Sequence, residues 1–238
     1  NRPPVPLPMT SAPSSDHPAI TWRNVLSFNG FDAESRWAAS WALLGLRAPE
    51  GELLGRVMAG YQAPDRHYHT VQHLAECFER FDEGRELAER AGEVALALWF
   101  HDAIYDTHRG DNEAVCAAWA ARAVHEAGGD GAVADRIAGL VLATAHSSVP
   151  AAGDPSLIVD IDLAILGADQ ARYDQYETQI RREYAWVPEP EFRSRRHQLL
   201  AGFLERPFIY STALFRRRLE PAARANLARA VARLGAAE

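Results

Sequence analysis

"LIVDIDLAILG", Leu157 to Gly167, is the run on which the fold class turns. Its branched residues suit a buried strand as well as a helix. A lone strand would have no partner, however, and no alternating strand pattern persists elsewhere in the chain. The run is therefore read as a helix and the protein as all-α. Two acids, Asp160 and Asp162, interrupt the otherwise apolar segment. Burying a carboxylate costs free energy unless a partner compensates it, so the run also asks what that partner is.

Working outward, helical apolar spacing and good helix formers recur near 32–46, 49–61, 67–82, 87–104, 111–127, 131–146, 168–186, 190–205 and 221–235. Asp111 with Glu113 marks a helix start, Gly128 and Gly129 a stop, and Pro188 and Pro190 end another helix. There are no internal repeats and no sustained heptads. The opening "NRPPVPLPMTSAPSSDHPA" is rich in proline and serine and buries too little to offset its ordering entropy. Residues 1–21 are expected to be a flexible tail, with Met9 a candidate natural start, and residues 22–238 to form one helical domain.

Composition narrows the function. The 238 residues carry a formal charge of −7 and no basic run that could track a phosphate backbone, and "FRRRLE" is too short to do so, which argues against long nucleic acid. All 25 basic residues are arginine, so a Schiff-base lysine and a G-x-x-x-x-G-K phosphate loop are excluded. No apolar run approaches the roughly 20 residues that span a bilayer, and the N-terminus lacks a signal-peptide layout. A cytoplasmic protein without a membrane partner is expected. Cys77 and Cys116 are too few and too dispersed for a disulfide framework or a thiolate metal site and are read as buried filler.

Two further stretches carry chemistry. "VALALWFHDAIYD", Val94 to Asp106, is apolar all round up to Phe100, so His101 and Asp102 emerge directly from the core. A divalent cation would satisfy both at once. In "RHYHTVQHL", Arg66 to Leu74, His69 and His73 stand four residues apart, a spacing that places both on one face of a helix. Each piece alone has a plainer reading: a hydrogen-bonded core histidine, or an aspartate that caps a helix or meets an arginine.

Together, in this order, the three stretches resemble the HD superfamily of metal-dependent phosphohydrolases, and "YHTVQHL" is similar to the Y-H-N-x-x-H stretch of the cyclic nucleotide phosphodiesterases. "DNEAVCAA", "IRREYAWVP" and "EPAARANL" extend the likeness to a branch of small bacterial predicted HD phosphohydrolases. The resemblance implies an HD-type helical bundle with a C-terminal helical extension. It implies His73, His101, Asp102 and Asp162 as ligands of one or two divalent ions (Mn, Fe, Zn, Co, Ni or Mg), with Asp102 able to bridge to a second. It makes His69 the general acid, or else a residue that orients a ligand or water, and Asp102 a participant in catalysis. Arg66 becomes a phosphate fork, unless it forms an ion pair with Asp65. His146 is a second-metal ligand or a substrate contact, and Tyr184 and Arg196 are substrate-binding candidates. Tyr105, Asp106, Glu113 and Asp160 would hold waters around the ligands, with Asp160 and Asp162 exchangeable by a slip of two residues. The activity implied is hydrolysis of a phosphoester of a small molecule, a nucleotide first among them, by metal-activated water. A di-iron HD oxygenase or a non-hydrolytic nucleotide-binding module are the alternatives, and a homodimer is compatible with either.

Overall fold

The computed structural model describes residues 27–28, 30–49, 52–146 and 148–235. The expected tail, Met9 and Trp22 lie outside them. A hairpin of two-residue strands, β1 (Ser27–Phe28) and β2 (Phe31–Asp32), leads into ten helices. These are α1 (Ala33–Leu43), α2 (Leu53–Tyr61), α3 (Val71–Gly84), α4 (Ala91–Phe100), α5 (Asn112–Glu126), α6 (Gly131–Ala143), α7 (Asp154–Asp162), α8 (Gln170–Glu183), α9 (Glu189–Glu205) and α10 (Ala213–Gly235). The fold is all-α, and the run from Leu157 is helical, passing from α7 into a 3-10 turn at Leu163–Gly167.

α4 is the centre. Its residues from Gly92 to Phe100 are all buried, as the apolar run Val94–Phe100 requires, with Glu93 paired to Arg136 at 2.6 Å, and α1, α3, α5, α6 and α7 surround it. Aromatic edges lock the α1 side: Trp37 meets Trp99 at 5.2 Å and Trp41 at 5.5 Å between ring centroids. Of the indole nitrogens this packing buries, Trp99 Nε1 donates to Ser40 Oγ at 3.0 Å, and Trp41 Nε1 meets no acceptor. At Gly128, φ is +80°, and the two N–H groups that follow α5 fold back onto His125 and Val124, so this stop is a left-handed cap.

Several boundaries differ from expectation, α2 starting at Leu53 and α4 spanning only Ala91–Phe100, and two of the differences have a clear local cause. α10 begins at Ala213 and runs through Pro221 instead of starting there. Proline removes one helical hydrogen bond, but buried Phe215, Leu219, Ala223 and Leu227 form a continuous face across it, and that burial carries the helix past the defect. α3 begins at Val71 because Thr70 is extended and caps it, accepting from the Gln72 N–H at 3.3 Å. His69 therefore precedes the helix. Among the described residues no helix is long and apolar enough to cross a membrane.

One contact fixes the floor of the site. α2 presses on the turn after α4 at Gly60, where an added Cβ would stand 2.0 Å from the Ala103 carbonyl oxygen. Gly60→Ala is expected to lower stability by about 1–3 kcal/mol, because backbone must move to admit it. Urea unfolding checks this, and an unchanged midpoint would show that the contact is slack.

Candidate metal centre

Three helices deliver the polar centre of the molecule. His73 comes from the buried face of α3, His101 closes α4, Asp102 lies in the following turn, and Asp162 is the last residue of α7. His73 Nε2 lies 3.1 Å from His101 Nε2, 3.3 Å from Asp102 Oδ2 and 3.2 Å from Asp162 Oδ1. His101 Nε2 lies 3.1 Å from Asp102 Oδ2 and 3.7 Å from Asp162 Oδ1. Cys77, one turn beyond His73, adds a thiol 3.7 Å from the His73 ring nitrogens. The ligand atoms of His73, Cys77, His101 and Asp162 all fall within 4.8 Å of one another, and this group can hold a metal ion. Cys77 is buried as expected of filler, but its sulfur faces the cluster, a role the sequence reading did not give it.

The donor set fits a cation. An ion about 2.0–2.2 Å from each ligand spaces neighbouring donors about 3.0–3.5 Å apart, close to the separations found here. His101 Nδ1 donates to the Leu98 carbonyl at 2.8 Å, which turns the Nε2 lone pair toward the group. Acceptors so crowded demand positive charge. Burial by itself would lower the His101 pKa, yet the Asp102 carboxylate overrides it and holds the value well above the ordinary one. Burial likewise opposes ionisation of Asp102 and Asp162, and the surrounding imidazoles still hold both carboxyls low. A cation satisfies the same field without needing protons on the rings.

The His69 ring sits beside this cluster, 5.8 Å between centroids from His73, although it is not on α3. Its place is set from α8. Glu183 Oε1 accepts the N–H groups of His67, Tyr68 and His69 at 2.8, 2.7 and 2.9 Å, and its Oε2 meets His69 Nδ1 at 2.7 Å. Tyr105 stacks on the other face of the imidazole at 3.8 Å and hydrogen-bonds Tyr184 through their hydroxyls at 3.0 Å. Despite burial, the bonds from His69 lower the Glu183 carboxyl to about 2. Glu183 was not singled out from sequence, although it lies inside the stretch "IRREYAWVP".

His69, Asp102, Tyr105, Glu113, His146, Asp162, Tyr184 and Arg196 line one cavity of about 480 Å³. His146, held at φ +52°, brings Nε2 to 2.9 Å from Asp162 Oδ2. Arg196 is buried and paired with Glu177 at 2.6 Å. Three candidates lie elsewhere. Arg66 is buried and spends its guanidinium on carbonyls, reaching Asp102 O at 2.5 Å, Ala103 O at 3.1 Å and His69 O at 3.2 Å, so it braces the two site turns and does not line the cavity. Nor does it pair with Asp65. Asp106 accepts the His108 N–H at 2.9 Å and shapes the turn before α5. Asp160 accepts the Ser211 and Thr212 N–H groups at 2.7 Å each, just before α10, so its buried charge is compensated there and away from the cluster. Behind the cluster a smaller cavity of about 150 Å³ opens on His73, Cys77 and Asp162.

Protein-family models, curated proteins and solved structures give no match to this chain.

Proposed function

We propose that the protein is a metal-dependent phosphohydrolase of the HD type that cleaves a phosphoester of a small molecule. The observation that carries the reading is the convergence of His73, His101, Asp102 and Asp162, from three helices, on one point at the edge of a cavity. A divalent ion bound there would supply Lewis acidity and a water of lowered pKa. In the hydrolysis, water oxygen bonds to phosphorus, the phosphorus–oxygen ester bond breaks, and the departing alkoxide takes a proton. In this reading His69 gives that proton, supported by the anchoring of its Nδ1 side on Glu183, which leaves Nε2 free, and by Tyr105, which fixes the plane of the ring. Asp102 and Asp162 would hold the ion, and Arg66 keeps the turns carrying Asp102 and His69 in register.

A second reading draws on His146. Its bond to Asp162 adds an imidazole beside the cluster, as a di-iron oxygenase on the same core would need. Metal analysis with a phosphate-release assay over nucleotides and sugar phosphates separates the two. Chelation is expected to abolish phosphate release, and manganese, cobalt, nickel, magnesium or iron to restore it. Two irons per chain, with oxygen consumed and no phosphate released, would establish the oxygenase instead.

A further inference from the structure

The cavity has two unlike halves. Its floor is polar, with Asp102, Asp162, His69 and His146. A second, apolar part of the lining comes from α9 and the 3-10 turn after α7 and presents Ile165, Leu166, Phe192, Leu199, Leu200 and Phe203. Leu199 is half exposed at the mouth, and so is Trp186, which is stacked on His108 at 4.2 Å. Such an apolar wall is a body-binding surface rather than a phosphate-binding one.

The cation inventory points the same way. Among the described residues two arginines line the cavity: Arg196 is buried and bound to Glu177 at 2.6 Å, and Arg195 is exposed and shares a weak surface pair with Glu191, so it is the one arginine free to meet an anion. Glu113 adds a further negative charge, and no lysine exists in the chain. A polyphosphate brings several charges that this lining could not neutralise beyond what one metal centre and one exposed arginine supply. Among the described residues no asparagine or glutamine lines the cavity, so a base edge would have to find its partners in Thr107, Thr144, Glu113 and tyrosine hydroxyls.

We infer that the substrate carries a single phosphate on an alcohol with an apolar body, an alkyl or aryl phosphomonoester in place of a nucleotide. The phosphate end of this inference rests on the phosphohydrolase reading, and the apolar end rests on the wall alone. The test therefore reads the two ends separately. With the manganese-loaded protein, kcat/KM is expected to rise about 80-fold from ethyl to hexyl phosphate if all four added methylenes leave water, since each contributes about threefold. AMP and ATP should both fall below hexyl phosphate. Leu199→Asp, a change at a half-exposed position that folding tolerates, should shrink the hexyl-to-ethyl ratio about tenfold. Calorimetry with 1-hexanol on the chelator-treated protein should detect binding that Leu199→Asp weakens.

A flat chain-length series, a preference for AMP or ATP, or no hexanol binding would each overturn the inference while leaving phosphohydrolysis standing. Hexanol binding sensitive to Leu199→Asp, with no ester hydrolysed under any metal, would keep the apolar body and overturn the phosphohydrolase reading.

Discussion

Asp102→Ala is expected to bind divalent metal at least about 100-fold more weakly than the parent protein and to lose about 10³-fold or more of its turnover. The expectation follows from position. Asp102 Oδ2 lies 3.1 Å from one imidazole nitrogen and 3.3 Å from the other, so it bridges both rings and supplies half of the negative charge that draws a cation in. Its backbone is held independently, with the carbonyl on Arg66 and the N–H on Tyr61 Oη at 3.3 Å, so removing the side chain leaves the turn in place. Metal content after dialysis and circular dichroism are the deciding measurements. A folded variant with normal metal content and normal turnover would end the proposal that this cluster is the reaction centre.

Glu183→Gln carries the second large effect, and it acts on two properties at once. At neutral pH the carboxylate holds three backbone N–H groups and the His69 ring, and an amide oxygen cannot match a charged acceptor there. Its carboxyl is lowered from 4.5 to about 2, so its contribution to stability is fully present above about pH 4.5 and is lost as pH falls through about 2. The side chain is almost fully buried, and the shift corresponds to about 3 kcal/mol. The difference in stability between the parent and Glu183→Gln should therefore be about 3 kcal/mol at pH 7 and shrink toward zero between pH 4.5 and 2. On the proposed mechanism, turnover should fall about 10²-fold with metal content and KM unchanged, because Glu183 would position the proton donor without touching ion or substrate. Glu183→Asp should recover part of it. A fall in metal content, or a stability difference independent of pH, would show that Glu183 does something else.

Much of this architecture was legible in the chain because helical period is a local property. Val94 to Phe100 has no polar face, and such a helix has only the core to go to. The cluster was legible in two parts: His101, Asp102 and Asp162 sit in or against apolar runs where charge needs a partner, whereas His73 and the choice of Asp162 as ligand came from the resemblance to the HD superfamily. What local pattern could not supply was partnership over distance. Glu183 is 114 residues from His69, and nothing near either residue announces the other. Asp160 and Asp162 show the same limit. Two residues apart on a helix they point to different sides, and only the position of α10 decides which one meets backbone and which meets histidine. Arg66 was assigned to phosphate by its chemistry, and its burial against three carbonyls is a tertiary fact. Cys77 is the exception, because four residues after His73 on an α-helix is a spacing that could have been noticed.

The carboxylate that gathers the amides before α3 has a consequence for how the molecule comes into being. Because the imidazole is oriented from the far end of α8, a nascent or partly refolded chain that has packed its first four helices holds His69 unanchored. Closing that long loop is entropically expensive and comes late. A fixed imidazole should then arrive in one step with the docking of α8, making the orientation of His69 a reporter of completed folding.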